Sequence, residues 1–545
     1  MNTFLKQSMI GASTLVLLIL GSCKRFVDIN TNPNAATSSQ ASFVFSGALG
    51  TTYRNQTGTA QHIVPSTWTG MNAHSTSFTG GGAEKTYAIT NSDFNGFDAP
   101  FDNIQDYKYI KEHADGDGTP WLKGPAEVMT CLIFQTLVDM NGDIPYGEAL
   151  QGAANVTPHY TADQGKSIYE DLVVRLDAAM TAMAGETWPT DAAVTIFDIY
   201  FNGNRDNWIR FANTIKLRIL MRQSFMPGRG AYITTNINNT LARGYITGNV
   251  LVNPGYQIVA GKLNPFYANW GFNELNNITS NHQYRKMGAV ILNWLKTSNT
   301  TNALPPVASP AATSNADTFR LQSLAWPAGT TVIAPSANLS NYIGIPLGAG
   351  SGYATASSSP IGPFQITQGL GNKAGMMMLL AESYLLQAEA SQRYGIAFAV
   401  PALPAGFAVT NPQALYEAGI LAHFRTCAAP FTAGNASNAG DAYALRYVLR
   451  PIDNINWLLS TDKIRAILIQ KWVTLTHING LEAWSEYRKS SGSASVGVPS
   501  LVKTVVATTN PEPVRYLIPL GEVSANGTNV PTGITVATKI FWDVN

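Results

Sequence analysis

The chain has 545 residues, of which 13% are charged and 10% aromatic, and its 35 basic and 34 acidic side chains leave a formal net charge of +1. A near-neutral chain has no basic field to attract a polyanion, and its cationic clusters, such as Lys24-Arg25, are short. Nucleic acid is therefore excluded as an expected partner. The length permits one large domain or two or three smaller ones.

The first 22 residues have the three parts of a signal peptide. Lys6 supplies the positive charge, residues 9–20 are almost wholly apolar, and Gly21-Ser22 are the small residues needed beside a cleavage site. The apolar core is too short for a transmembrane helix, which needs roughly 20 apolar residues. With Cys23 at the cleavage point, the pattern resembles the bacterial lipoprotein box, in which the cysteine is acylated. We therefore expect a lipid anchor at Cys23, and a plain secretory signal is the alternative.

Helical patterns dominate the chain after a polar tether. Residues 23–40 are expected to hold the acylated cysteine and a flexible linker, and residues 41–545 a single domain. Apolar residues recur at three- and four-residue spacing, which predicts amphipathic helices. The predicted helices are 126–140, 168–183, 208–223, 375–393, 412–424 and 464–477. From about 226 to 371 the sequence is rich in Gly, Asn, Pro and Ser, which predicts a loop-rich insert where binding groups concentrate.

One predicted helix ends at a clear stop signal. Gly142 can adopt a left-handed conformation, and Pro145 prevents the helix from resuming. Asp139, Asp143 and Glu148 surround this signal, but neither a nucleophile nor a histidine accompanies them. We therefore expect the three carboxylates to cap the turn rather than to act as catalytic groups.

Other polar and sulfur-containing side chains are expected inside the helical body. Glu382 and Glu389 are seven residues apart, about two helical turns, so they share a face and are expected to bond neighbouring helices or backbone. Cys131 and Cys427 lie in apolar helical sequence. Buried free thiols are the preferred interpretation, and a disulfide between them is the alternative.

The sequence contains no complete motif for metal binding, cofactor binding or catalysis. The seven histidines never occur at paired ligand spacing, and no H-E-x-x-H, C-x-x-C, G-x-S-x-G or phosphate-loop motif is present. Residues 114–119 (ADGDGT) are similar to the start of a calcium loop, but Ala126 stands where a bidentate Glu is required. A solvated turn is therefore preferred to a calcium site. We expect no cofactor besides the lipid and no enzymatic activity.

Two segments combine aromatic and amide side chains, which together suit carbohydrate. Aromatic rings pack against the C–H faces of sugars, and Asn, Gln and Arg side chains match their hydroxyl groups. Residues 67–78 (TWTGMNAHSTSF) and 265–284 (PFYANWGFNELNNITSNHQY) have this composition, and Trp326 beside Pro327 is a third candidate. The expected ligand-binding residues are Trp68, Asn72, His74, Tyr267, Asn269, Trp270, Asn273 and Trp326. For any single ring, packing between loops and helices is the alternative.

Several short segments occur in an order and spacing typical of one protein family. They are 26–34 (FVDINTNPN), 137–150 (LVDMNGDIPYGEAL), 167–177 (SIYEDLVVRLD), 207–222 (NWIRFANTIKLRILMR), 380–390 (LAESYLLQAEA), 469–472 (IQKW), 482–488 (EAWSEYR) and 515–519 (RYLIP). In this succession the chain resembles the SusD/RagB nutrient-binding outer-membrane lipoproteins, specifically the SusD-like branch. The resemblance implies a mainly α fold of irregular tetratricopeptide-like helical repeats with long loop insertions, a surface ligand site and no catalysis.

The resemblance also implies partners and a location. We expect a lipid-anchored protein in the outer membrane of a Gram-negative bacterium, at its cell surface, that captures oligosaccharide for a SusC-like TonB-dependent transporter. Capture of peptides is the alternative within the family, and a helical-repeat scaffold that binds only another protein is the alternative from another class. Lys24 and Arg25 stand where surface-exported relatives often carry acidic residues, so the membrane face that holds the lipid stays open.

Overall fold

The computed structural model describes residues 39–160, 164–297, 316–329, 334–428, 436–490 and 504–544. The expected signal peptide, Cys23 and nearly all of the tether lie outside these residues. Within them the fold is mainly helical, as predicted, and one cluster of packed apolar side chains runs from Ala41 to Trp542. No helix of the described ranges combines the length and the apolar character needed to cross a membrane.

Helices make up most of the elements in the described ranges. The first part of the chain contains α1 (Ala41–Gln56), α2 (Val64–Trp68), α3 (Gly82–Thr86), α4 (Asp98–His113), α5 (Lys123–Asn141), α6 (Gln164–Gly185), α7 (Ala192–Thr195), α8 (Arg205–Arg222) and α9 (Gly230–Thr240). The middle contains α10 (Pro265–Trp270), α11 (Ser280–Tyr284), α12 (Ala289–Thr297) and α13 (Thr318–Leu324). The last part contains α14 (Leu380–Tyr394), α15 (Gln413–Ala428), α16 (Ala436–Val448), α17 (Lys463–Leu475), α18 (Gly480–Ser490) and α19 (Leu520–Asn526).

Four short strands form two antiparallel pairs within the described residues. The strands are β1 (Asn72–His74), β2 (Val250–Val252), β3 (Arg285–Met287) and β4 (Gly375–Met378). β1 pairs with β3, and β2 pairs with β4 in the register Val252↔Gly375. The predicted helix 375–393 therefore starts too early, because the apolar run at its beginning is the strand β4.

The long helices pack in pairs along the chain. In the first half, α4 packs against α1 and α5, and α6 packs against α5 and α8. In the second half, α14 packs against α15 and α17, α15 against α16, and α17 against α18. Helices α14 and α15 approach each other closely, because a Cβ atom at Gly419 would lie 2.7 Å from Leu385 Cγ. Small residues at such positions are typical of tetratricopeptide-like hairpins.

The local sequence determines where individual helices begin and end. The Asn204 side chain accepts a hydrogen bond from the Asn207 N–H at 2.9 Å and caps α8, and Asp462 caps α17 in the same way. α5 ends at Asn141, followed by Gly142 with φ of +77°. The predicted stop at Gly142 is therefore confirmed.

Buried charges join the helices α5, α8, α14, α17 and α18. Arg222 of α8 lies 3.5 Å from Asp139 of α5 and also contacts Glu482 and Glu486 of α18. Asp139 is fully buried and accepts hydrogen bonds from Tyr169 and Trp542, so the prediction that it caps a turn is wrong. A carboxylate in this position offsets the buried guanidinium, because an unpaired buried charge is strongly destabilising.

The predicted roles of Glu382, Glu389 and the two cysteines of the body are confirmed. Glu382 contacts Arg218 at 2.7 Å, and Glu389 bonds neighbouring helices through Lys471 and Lys489. Asp143 caps the first turn of α6 and not the predicted turn after α5, because its Oδ1 accepts from the Gly165 N–H at 2.9 Å. The remaining pair, Cys131 and Cys427, consists of buried free thiols. Burial raises the pKa of the Cys427 thiol to about 12, which keeps it protonated and unreactive near neutral pH.

Candidate functional site

The two segments predicted to bind ligand meet in space. β1 belongs to the first segment and pairs with β3, which directly follows the second segment, in the register His74↔Arg285. This pairing brings the rings of Phe78 and Tyr284 to a centroid distance of 5.6 Å. Residues more than 200 positions apart in the chain therefore form one region of the molecule.

A buried ion pair between Arg285 of β3 and Glu84 of α3 stabilises this region. The Arg285 guanidinium donates to both Glu84 carboxylate oxygens at 2.7 and 2.8 Å, and His74 Nε2 lies 2.9 Å from Glu84 Oε2. Burial opposes ionisation of Glu84, but the Arg285 guanidinium outweighs it and holds the pKa of the carboxyl well below its usual range. Burial lowers the pKa of His74 to about 4, so its ring is neutral near pH 7. The cluster is a fixed structural support.

The loop at residues 80–82 passes very close to this ion pair. Gly81 has φ of +62°, and a Cβ atom there would lie 2.5 Å from His74 Nε2 and 2.6 Å from Tyr284 Oη. Only glycine has both the conformational freedom and the small size for this approach. The glycine-rich residues 80–82 therefore seal the cluster from solvent.

Most of the predicted ligand-binding side chains are buried. The rings of Trp68, Tyr267, Trp270 and Trp326 are at most 6% exposed, and Asn72 and His74 at most 2%. Each indole N–H donates to a backbone carbonyl oxygen, at distances from 2.9 to 3.2 Å. These contacts show that each ring packs between loops and helices, which is the alternative to ligand binding given above. Direct ligand contact by the buried residues stays a prediction.

The remaining two predicted residues, Asn269 and Asn273, line an open cleft of about 660 Å³. Asn269 is exposed, and Asn273 is half-buried. One wall of the cleft is formed by α10 and the turn after it, the second by the loop 254–263, and the third by Gly50 and Arg54 of α1. We call this space the amide cleft, because Gln257, Asn269 and Asn273 all line it.

Short hydrogen-bonded turns hold the walls of the amide cleft. The Asn253 side chain accepts from the N–H groups of Gly255 and Tyr256 at 3.0 and 3.3 Å. The Gln257 N–H donates to the Lys262 carbonyl oxygen at 2.8 Å and closes the loop. Asn264 caps α10 by accepting from two backbone N–H groups. These local bonds place the Tyr256 ring in the cleft wall.

The amide cleft offers hydrogen-bonding groups beside a ring. The Asn273 Oδ1 atom accepts from the N–H groups of Leu275 and Asn277 at 3.0 and 2.9 Å, so its Nδ2 group is left to donate to a ligand. Tyr256 is half-buried, and burial raises its pKa above the usual range, so its hydroxyl is neutral. A half-buried ring next to amides can hold a sugar by its C–H face and its hydroxyl groups.

Sequence reasoning missed Tyr256, Arg54 and Lys262. A signal for the first is visible in residues 253–257 (NPGYQ), where a Pro-Gly turn presents an aromatic and an amide side chain. Arg54 had no such signal, because it belongs to the last turn of α1, about 200 residues before the rest of the cleft. Only the packing of α1 against α10 brings it there.

Two aspartates of the acidic loop 114–119 contact neighbouring helices of the protein. Asp115 forms an ion pair with Lys123 at 2.6 Å, and the Asp117 carboxylate accepts from the Ala41 N–H at 2.7 Å, at the start of α1. Among the described residues, no group of three or more His, Cys, Asp and Glu side chains is arranged to hold a metal ion. The preference for a turn over a calcium site stays a prediction.

Comparison with known families and proteins relates this architecture to others. A SusD-like family model, described as starch-binding and associating with the outer membrane, matches residues 33–302. A comparison with curated proteins found no match.

Solved structures match over nearly the whole chain. A SusD homologue from Bacteroides fragilis has a TM-score of 0.68 at 19% identity, covering 93% of this chain and 99% of its own. A SusD/RagB family protein from Bacteroides thetaiotaomicron has 0.63 at 15%, covering 93% and 99%. A chitin-binding SusD homologue from Flavobacterium johnsoniae has 0.63 at 20%, covering 92% and 99%. These likenesses show the fold, and the family model over residues 33–302 shows that the chain belongs to the SusD/RagB family.

Proposed function

We propose that this protein is a non-catalytic nutrient-binding lipoprotein that captures an oligosaccharide in the amide cleft and delivers it to a TonB-dependent outer-membrane transporter. The observation that carries the proposal is the amide cleft itself, an open space of about 660 Å³ with Tyr256, Asn269 and Asn273 in its walls. Ligand clefts of roughly 300–1,000 Å³ are typical of small-molecule sites. The chitin-binding relative from Flavobacterium johnsoniae supports carbohydrate as the ligand class.

Within this proposal the residues have two roles. Tyr256, Asn269 and Asn273 contact the sugar, whereas the buried rings of the two predicted segments hold the walls. A ring such as Trp270, whose N–H donates to the Thr57 carbonyl oxygen at 2.9 Å, ties α10 to the end of α1. The walls then need little rearrangement on binding, which limits the entropy lost when the ligand binds.

Calorimetric titration of the purified protein with neutral and acidic oligosaccharides and with peptides tests the proposed function. We expect Tyr256→Ala to weaken glycan binding about tenfold, which corresponds to ~1.4 kcal/mol. Tyr443→Ala is the matched control, because Tyr443 is also a partly exposed ring but stacks on Phe319 and does not line the amide cleft. Binding of peptides without any glycan would contradict the proposal, as would turnover of a bound oligosaccharide by the wild-type protein.

Delivery to a transporter is a separate step with its own test. Affinity purification of the full-length protein from its native membrane should bring down a TonB-dependent outer-membrane transporter in stoichiometric amount. The Tyr256→Ala variant should retain the transporter, since the ring lies in the ligand cleft. Recovery of the lipoprotein without any such transporter would contradict this part of the proposal.

A further inference from the structure

The amide cleft contains two cations without a carboxylate partner. Arg54 and Lys262 line it and are both exposed. Among the described residues, no carboxylate oxygen lies within the ion-pair distance of 4.0 Å from either side chain. The third charged residue of the cleft, Glu274, is half-buried and is likewise outside any such pair. The charged groups of the cleft are therefore available to a ligand, and positive charge is in excess.

This arrangement differs from the buried charge clusters of the helical body. Several cations there have carboxylate partners, such as Arg218 with Glu382 at 2.7 Å and Lys471 with Glu486 at 2.8 Å. A neighbouring cleft of about 540 Å³ is lined by Asn202, among other polar residues, and by no charged side chain. The two clefts are separated by the Asn253-Pro254 peptide, since Asn253 lines one and Pro254 the other. Of these two neighbouring clefts, only the amide cleft is lined by positive charge.

The two cations have the chemistry to recognise an anionic group. The guanidinium of Arg54 presents a planar fork of donors that matches a carboxylate or a sulfate, and the ammonium of Lys262 adds a compact charge. Tyr256 lines the same cleft, and the Arg54 charge acts on its hydroxyl. A sugar ring that packs against Tyr256 would hold an anionic substituent within reach of these side chains.

We propose that the ligand of the amide cleft is an acidic oligosaccharide, a glycan whose carboxylate or sulfate groups are bound by Arg54 and Lys262 beside the Tyr256 ring. This inference rests on the proposed function and specifies its substrate class. The neighbouring uncharged cleft accommodates the neutral part of the same chain, because the two clefts share the turn at residues 253–254.

The test compares three oligosaccharide probes of equal length in calorimetric titrations of the full-length protein. The probes are a uronic acid oligosaccharide, a sulfated oligosaccharide and a neutral oligosaccharide. We expect at least one acidic probe to bind tenfold or more tightly than the neutral one, and the stronger of the two identifies the anionic group. The affinity for the acidic probe should fall as the salt concentration is raised from about 50 to 500 mM. This increase shortens the Debye length severalfold and therefore screens the exposed charges.

Charge variants separate this inference from the proposed function. Arg54→Gln and Lys262→Gln should each weaken the acidic probe about tenfold and leave the neutral probe unchanged, whereas Arg205→Gln, an exposed arginine outside the cleft, should change neither. Thermal unfolding of each variant verifies that it is folded. Equal affinity for neutral and acidic probes, with no effect of the charge variants, would overturn the acidic ligand but leave glycan capture standing. Failure of all three probes to bind would overturn both.

Discussion

At the scale of single residues, burial controls the protonation of the histidines. It lowers the pKa of His62 to about 3 and the pKa values of His74, His282 and His477 to about 4, so all four are neutral in the folded protein near pH 7. In the unfolded chain each is expected to titrate near a pKa of roughly 6.5. At pH values between the folded and unfolded pKa, the unfolded state binds more protons than the folded state. Lowering the pH therefore stabilises the unfolded state relative to the folded state.

These shifts predict an acid-sensitive fold. The free energy of unfolding should be steady above about pH 6.5 and should decrease as the pH is lowered towards 4, by about 1.4 kcal/mol per unit for each histidine that titrates. Urea unfolding at a series of pH values measures the slope. His282→Gln should make the slope shallower, because it removes a histidine whose pKa burial lowers to about 4, whereas the glutamine amide can still donate to the Trp270 carbonyl oxygen that His282 Nδ1 contacts at 3.0 Å. A stability that rises between pH 6.5 and 4 would contradict this account.

The sequence identified the region of the site but not its contacting atoms. Aromatic and amide composition pointed to residues 265–284, and Asn269 and Asn273 of this segment do line the amide cleft. The same composition could not distinguish a ring that packs from one that faces solvent, because the burial of Trp270 includes a distant contact, the hydrogen bond from its indole N–H to the Thr57 carbonyl oxygen. Tyr256 was missed because it lies outside both segments, and its exposure depends on a turn held by Asn253.

At the scale of elements, the long helices were predictable because their apolar periodicity matches their burial. Predicted 126–140 corresponds to α5 and predicted 208–223 to α8, with small errors at the ends. The strand β4 was predicted as helix, because an apolar run of Met and Leu fits either state and its pairing with β2 is set by residues over 100 positions away. Elements determined by distant partners are not visible in a local pattern.

The close contact between α14 and α15 gives a prediction at this scale. Gly419→Ala should destabilise the protein by about 1–3 kcal/mol, because the new methyl group would press against Leu385 and the Ala381 carbonyl oxygen. Gly47→Ala in α1 is the matched control, since a Cβ atom there meets nothing within 4 Å and alanine favours a helix by about 0.5–1 kcal/mol. Denaturant unfolding of both variants measures the difference. Equal stabilities would show that the two helices do not pack this closely.

At the scale of the whole molecule, the family was predictable from the order of short segments, each of which is a weak signal alone. Segments within the described residues contribute to the helical core or its buried charges, such as Glu482 and Glu486 of residues 482–488 against Arg222. None of these segments lies in the loop 254–263 or in α10, which form two walls of the amide cleft. The fold could therefore be predicted in outline, whereas the ligand could not.

The lipid anchor that we propose would also be a property of the whole molecule, and it has a direct test. Cys23→Ala should shift the protein from the membrane fraction to the soluble fraction, because several acyl chains on one cysteine hold a protein durably at a bilayer. Metabolic labelling with a palmitate analogue should label the wild-type chain and not the variant. Cys131→Ala serves as the control, since that thiol is buried in α5. Membrane retention of unlabelled Cys23→Ala would contradict the anchor.

The most direct test of the central claim is a crystal structure of the protein with the oligosaccharide that binds it most tightly in calorimetry. We expect density for sugar rings in the amide cleft, with one ring packed against Tyr256 and hydrogen bonds from Asn269 and Asn273. The walls at α10 and loop 254–263 should move little. Density for the oligosaccharide at another place on the molecule, with the amide cleft empty, would contradict the account.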